Sequence, residues 1–123
     1  MNILLDTHIF LWAIAEPSRL SQAQISELET ASNRVYVSAV SITEIMIKAS
    51  LGKFVVAFDP VEIAEKSGFE LLSFGASDAL PLATLPVHHR DPFDRMLIAQ
   101  SLVRNLPMMT NDSKFSAYDV KLI

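Results

Sequence analysis

Apolar residues along this chain fall in short runs closed by polar or turn-forming residues, and their spacing alternates between strand and helix periods. Ile3-Leu4-Leu5 is unbroken and ends on Asp6, so Asn2 to Asp6 reads as a buried strand. Thr7 to Ala15 then reads as helix. Ser21-Gln22-Ala23-Gln24 has the capping-box form and opens a helix toward Ala31. Arg34-Val35-Tyr36-Val37-Ser38 is rich in strand formers. Ser41-Ile42-Thr43-Glu44 has the capping-box form again, and the helix it predicts stops at Gly52.

Asp59-Pro60-Val61-Glu62 offers an N-cap, a proline at the first helical position and a capping glutamate, for a helix that ends at Gly68. Phe69 to Phe74 predicts a third strand, and Ser77 caps a short helix to about Thr84. Asp91-Pro92-Phe93-Asp94 marks another helix start, with Phe93, Leu97, Ile98 and Leu102 at helical spacing. Pro107 to Thr110 predicts a fourth strand, Ser113 a one-turn helix, and Val120 to Ile123 a fifth strand.

Strands that alternate with helices imply an α/β fold with a mostly parallel sheet. Ligands of such sheets bind beyond the carboxyl ends of the strands, where strand order reverses. Asp6 ends the first strand and Asp112 follows the fourth by one short turn. Glu44 and Asp94 fall in the first turns of helices that follow strands. Four acids from distant parts of the chain are therefore expected on one edge.

Composition narrows the class. The 123 residues suit one domain, and with 50% of them hydrophobic a real core is expected. No cysteine is present, which removes disulfides and thiolate metal sites and fits a reducing, cytoplasmic setting. Asp6 and His8 interrupt the first apolar run with no basic region before it, so the N-terminus does not read as a secretory signal. Ile9 to Ala15 is too short to cross a membrane. A net charge of −4 argues against a passive nucleic-acid coat, but not against an enzyme whose acids crowd one site.

Crowded carboxylates need cations. Two of them about 4 Å apart repel by on the order of 4 kcal/mol at an effective dielectric near 20. Hard divalent ions such as Mg²⁺ or Mn²⁺ suit all-oxygen ligands and supply a water nucleophile for a phosphodiester. Each acid also has a plainer role available. Glu44 stands at a capping position after Ser41, Asp91 and Asp94 complement a helix N-terminus, and Asp112 is placed to cap a final turn. Asp6 has the least such excuse, because an acid closing a buried strand needs a partner.

At these residues the chain resembles the PIN-domain nucleases, and among them the VapC-type toxins of prokaryotic toxin–antitoxin pairs. The matching pieces are Leu4-Leu5-Asp6-Thr7-His8, Ser38 to Ile45, His89 to Ala99 and Thr110-Asn111-Asp112. Their order and spacing span essentially the whole chain, 1–123. The resemblance implies a three-layer α/β domain with a five-stranded parallel sheet in the order 3-2-1-4-5. It implies Mg²⁺- or Mn²⁺-dependent RNA cleavage by an acidic quartet of Asp6, Glu44, Asp94 and Asp112, with Asp6, Asp94 and Asp112 as metal ligands. Thr7 and Thr110 are the hydroxyls expected to orient a carboxylate or a water. A small antitoxin and a second copy of the chain are the expected protein partners.

His88-His89-Arg90 and Arg95 form the densest basic cluster, and Arg95 and Arg90 are the candidates for RNA phosphate, against a solvated loop as the plainer role. A histidine pair running metal-free cleavage of RNA is disfavoured, since adjacent histidines rarely face one substrate from opposite sides. His8 is expected to pack rather than to join the site. Phe10, Leu11, Trp12, Ile14, Ile42, Ile45, Met46 and Ile47 exceed what one helix face buries, and the surplus suits a partner helix or a dimer surface. No aromatic stacking platform of the usual kind is visible.

Two rival functions share this fold order. A phosphoacceptor receiver domain needs an acidic pair at the first strand, an aspartate after the third and a lysine after the fifth. Here the first strand ends in one acid and Phe74-Gly75 closes the third. A catalytically inactive module that keeps only the fold is the second rival, and the presence of all four acids speaks against it.

Overall fold

The computed structural model describes residues 1–123. Its sheet is built from β1 (Asn2–Leu5), β2 (Arg34–Ser38), β3 (Glu70–Leu72) and β4 (Met108–Met109). All four run parallel in the order β3-β2-β1-β4. Ile3 lies opposite Val35, and Leu5 opposite Met109. The chain moves outward from β1 in one direction through β2 and β3, then crosses back to place β4 on the other side. The switch point is therefore the β1–β4 seam.

Strand alternation explains why the central run is wholly apolar. Ile3, Leu5, Val35, Val37 and Met109 belong to one buried cluster, whereas Leu4 and Met108 belong to another. Helices α1 (Thr7–Ala15) and α4 (Pro60–Lys66) add Ile9, Phe10 and Ala64 to the first cluster. Helix α6 (Pro92–Arg104) brings Leu97 and Ile98 to the second. Helix α3 (Ala39–Ser50) serves both, through Ile45 and Val40. With both faces covered, each fully buried Ile or Leu of β1 contributes about 1.5–3 kcal/mol.

The helix starts follow their caps. Ser21 and Gln24 form a reciprocal capping box at α2 (Gln22–Glu29). Asp59 and Asp91 accept from the first backbone N–H groups of α4 and α6, each with proline next. One start differs from its pattern. The N-cap of α3 is Ser38, not Ser41, because β2 passes into the helix with no loop between them. Ser41 becomes a fully buried helix residue that accepts from the Thr7 hydroxyl at 3.0 Å. Glu44 consequently lies in the second turn and caps nothing.

The outer parts of the sheet are shorter than their patterns. β3 stops at Leu72 because the Ser73 carbonyl accepts from the Gln100 and Arg104 side chains instead of a ladder partner. The next short helix, α5 (Ala76–Ala79), starts from Gly75 rather than Ser77, with Asp78 bonded back to the Gly75 N–H. The fifth strand is reduced to a single bridge between Leu122 and Met108. β4 is itself two residues long, so its outer edge offers little ladder to extend. No helix is long and apolar enough to cross a membrane.

Candidate active site

β1 ends at Leu5, which leaves Asp6 at the carboxyl edge beside the β1–β4 seam. Its backbone N–H still bonds Met109 across the sheet. Its carboxylate caps α1 by accepting from Ile9 N–H at 2.8 Å, and its second oxygen accepts from the Thr110 hydroxyl. The same hydroxyl accepts from the Asp112 N–H at 3.0 Å. Thr110 thus ties the first acid to the last. Burial pushes the Asp6 carboxyl above the usual range despite these two donors.

Asp94 is the third residue of α6. Asp91 does the capping there, accepting from both Phe93 N–H and Asp94 N–H, so the Asp94 carboxylate has no capping duty. Burial, reinforced by the charges of Asp91, Glu44 and Asp6, pushes it up to about 7 against the pull of His89. Glu44, 3% exposed, accepts from Lys48 through one oxygen, while its other oxygen is buried without any partner. The Lys48 ammonium is stabilised first by that bond.

Asp112 caps the 3₁₀ turn Ser113–Ala117 by accepting from Lys114 N–H. Burial pushes its carboxyl up, but that backbone bond and His89 outweigh it and hold it below the ordinary value. His89 is the residue the sequence pattern did not single out by itself. It is buried, 2.8 Å from Asp112 Oδ2 and 3.0 Å from Asp94 Oδ2 through the same Nε2. Its Nδ1 accepts from the Asp91 N–H, which assigns the remaining ring proton to Nε2. That N–H bonds Asp112, while Asp94 Oδ2 lies beside the same nitrogen at ion-pair distance. The histidine two residues before a helix N-cap was the only available signal, and it carried no direction.

The sequence-predicted residues divide accordingly. Asp6, Glu44, Asp94 and Asp112 act on one another at one edge. Thr110 bonds Asp6 as expected of an orienting hydroxyl, whereas Thr7 bonds Ser41 instead of a carboxylate. Arg95 turns inward: its guanidinium donates to the carbonyls of Leu85, Pro86 and His89 and so holds the loop that carries His89. The Tyr118 hydroxyl braces that loop as well, accepting from His88 and His89 N–H and donating to Pro86. Arg90 is exposed. His8, expected to pack, is exposed and lines an open pocket of about 230 Å³ with Asp6, Trp12, Asn111 and Asp112.

A family model described as PIN domain matches residues 3–121. The chain belongs to the PIN domain family. It is 24% identical over 120 residues to Ribonuclease VapC22 of Mycobacterium tuberculosis, covering 95% of this chain and 92% of that one. Its fold is similar to that of VapBC2 from Rickettsia felis bound to a promoter DNA fragment, with a TM-score of 0.76 at 18% identity over 100% of this chain and 98% of that chain. DNA-bound VapBC from Salmonella typhimurium gives a TM-score of 0.73 at 16% identity over 100% and 97%.

Proposed function

We propose that this PIN domain is a Mg²⁺- or Mn²⁺-dependent endoribonuclease, the toxin of a toxin–antitoxin pair. The observation that carries the reading is Asp94, whose carboxyl is raised to about 7 by burial and by the acids around it. A buried carboxylate in that company is costly when ionised unless a cation joins it. The donor set fits such an ion. Asp6, Asp94 and Asp112 offer carboxylate oxygens, no cysteine is present, and Glu44 keeps a buried oxygen without a partner. Carboxylate oxygens of Asp94 and Asp112 already lie within 4.8 Å of each other beside His89.

When bound, a hard divalent ion lowers the pKa of a water and offsets the charge that builds on a phosphodiester. The chain's own groups then have separate tasks. Asp6, Asp94 and Asp112 would hold the cation, and the Thr110 hydroxyl fixes the rotamer of Asp6. The free oxygen of Glu44 would accept the proton that the attacking water loses. His89 stands between Asp94 and Asp112, its N–H bonded to Asp112 and its nitrogen 3.0 Å from Asp94. Arg90 is the exposed cation for a phosphate of the substrate, whereas Arg95 acts through the loop it holds.

The relatives favour RNA and a protein partner: one bears the name ribonuclease, and the solved neighbours are VapBC complexes. An apolar surface suited to a partner helix lies at the end of α3 and beyond, where Met46, Ile47, Leu51 and Val55 are exposed. A homodimer is part of the same proposal.

Cleavage of a labelled single-stranded RNA by the purified chain, freed of copurifying protein, is the test. Cutting in Mg²⁺ or Mn²⁺, absent in EDTA and leaving 5′-phosphate and 3′-hydroxyl ends, is expected. Ends with 2′,3′-cyclic phosphate formed equally well in EDTA would overturn it in favour of histidine chemistry. Absence of cutting by a folded, metal-loaded chain would make it an inactive module.

A further inference from the structure

Beside the acids the pocket lined by Asp6, His8, Trp12, Asn111 and Asp112 has a wall unlike the rest of the site. His8 and Trp12 stand one helical turn apart on α1, with ring centroids 5.9 Å apart and planes inclined by 51°, and the Arg19 guanidinium lies over Trp12 at 5.6 Å. Lining one pocket with Asp6 and Asp112, the two rings add a partly apolar, aromatic wall beside the acids. The pocket's volume of about 230 Å³ is below that of pockets for drug-sized ligands, and suits one planar ring.

The polar rim has a fixed direction. Gln24 Oε1 accepts from the backbone N–H of Ser21, which can only donate, so the Gln24 amide nitrogen must point the other way. That nitrogen lies 2.7 Å from Asn111 Oδ1. Asn111 therefore gives its oxygen to Gln24, and its Nδ2 makes no bond within the chain. This relay from a main-chain N–H leaves the amide N–H pair of Asn111, a residue of the pocket lining, without a partner in the chain. Gln24 is buried, so the arrangement is held by α2 rather than by solvent.

We infer that this pocket receives an unpaired nucleobase adjoining the scissile phosphate, stacked on Trp12 with the inclined His8 ring at its edge and a base carbonyl accepting from Asn111 Nδ2. Aromatic walls take bases of any identity, at a gain set by stacking. The directed amide adds selectivity: a carbonyl oxygen is present on uracil, cytosine and guanine and absent from adenine. Asn111 is thus a specificity-determining residue. The inference rests on the RNA reading above, and it predicts a base preference that the metal chemistry alone would not impose.

Trp12 is the sole tryptophan, so its emission reports on this pocket directly. The chain is titrated with hexauridylate and hexaadenylate in Ca²⁺, and total binding is followed separately by anisotropy of a labelled strand. Quenching of Trp12 is expected, with the uridine strand bound about tenfold more tightly than the adenosine strand. Asn111→Asp keeps the acceptor for Gln24 but turns the free donor into an acceptor, and should bring the ratio of the two affinities to one or below. Because both strands meet the same added charge, the ratio isolates the base contact. Binding by anisotropy with unmoved Trp12 emission, or a ratio unchanged in Asn111→Asp, overturns the subsite. A chain that quenches with the expected ratio but cuts no RNA in Mn²⁺ overturns the hydrolytic reading and leaves the subsite standing.

Discussion

His89 Nε2 donates to Asp112 Oδ2 across 2.8 Å, from a buried ring whose other nitrogen is held by the Asp91 backbone. The same nitrogen lies 3.0 Å from Asp94 Oδ2, so the histidine stands where two carboxylates would otherwise meet. Asp112 is held below its ordinary value partly by this bond, while Asp94 is raised. The two acids differ because one has local backbone donors and less burial, and the other has three acidic neighbours.

Removing this donor has a defined consequence. His89→Ala should cost about 1–3 kcal/mol in EDTA, because a partly buried Asp112 oxygen loses its donor and no ring then separates it from Asp94. Saturating Mn²⁺ should restore more stability to the variant than it adds to the native chain. Thermal melts with and without the ion check this. An identical ion effect in both would mean that His89 plays no part in spacing the acids.

Asp94→Asn separates the metal site from helix capping. At pH 8 in EDTA the variant should be more stable than the native chain by on the order of 1–3 kcal/mol, since a crowded buried charge has gone. At pH 5 the folded Asp94 is largely protonated and the difference should be smaller, and it should vanish only near pH 4, where the unfolded carboxyl is protonated as well. Cleavage should collapse at either pH. A variant less stable at pH 8, by the 0.3–1 kcal/mol of a lost dipole contact, and still active would assign Asp94 to the helix terminus.

The native chain should show the matching slope. The folded Asp94 binds its proton up to about pH 7 and the unfolded one only to about 3.8, so the folded state holds more protons between those limits. Metal-free stability should therefore fall as pH rises from about 4 to about 7, then level off. Asp6, also raised, adds the same sign. Denaturant midpoints across this range, measured in EDTA and again in Mn²⁺, should differ in slope, with the ion flattening the curve.

The two arginines should part company. Arg95→Ala removes the donors to three carbonyls of one loop and should lower stability by about 1–3 kcal/mol. Arg90→Ala should leave the melt unchanged, weaken RNA binding and reduce the slope of log affinity against log salt by about one. A salt series on both variants decides it.

Thr110→Val keeps the shape of the side chain and removes the hydroxyl that joins Asp6 to the Asp112 backbone. Cleavage should fall by about tenfold or more, while the affinity for RNA changes little. Equal loss in both would point to a displaced loop instead.

Much of this molecule was legible along the chain because its rules are local. The limits of α1, β2 and the start of α6 follow from apolar spacing and from Asp91-Pro92, and each lies where its pattern puts it. The chain order of elements also gave the carboxyl edge expected to carry the acids, whereas the strand order that sets the switch point came from the family resemblance. The pattern failed where a tertiary partner competed for the same atoms. Ser41 looks like an N-cap but lies beneath Thr7, the Ser73 carbonyl leaves the ladder for Gln100 and Arg104, and β4 is too short to support a fifth strand.

For the site, the sequence by itself determined which residue types are present and on which edge of a parallel sheet they emerge. It could do so because strand ends and helix starts are set by neighbours within a few residues. Only the tertiary structure decided which of those groups meet. It turned Arg95 inward to a loop, set His89 between Asp94 and Asp112, and aimed the Asn111 amide by way of Gln24, 87 residues away. Those outcomes depend on side-chain direction across the β1–β4 seam and between α2 and the loop after β4. No spacing along the chain encodes such a direction, because it is fixed by which hydrogen-bond partners remain once the backbone has folded.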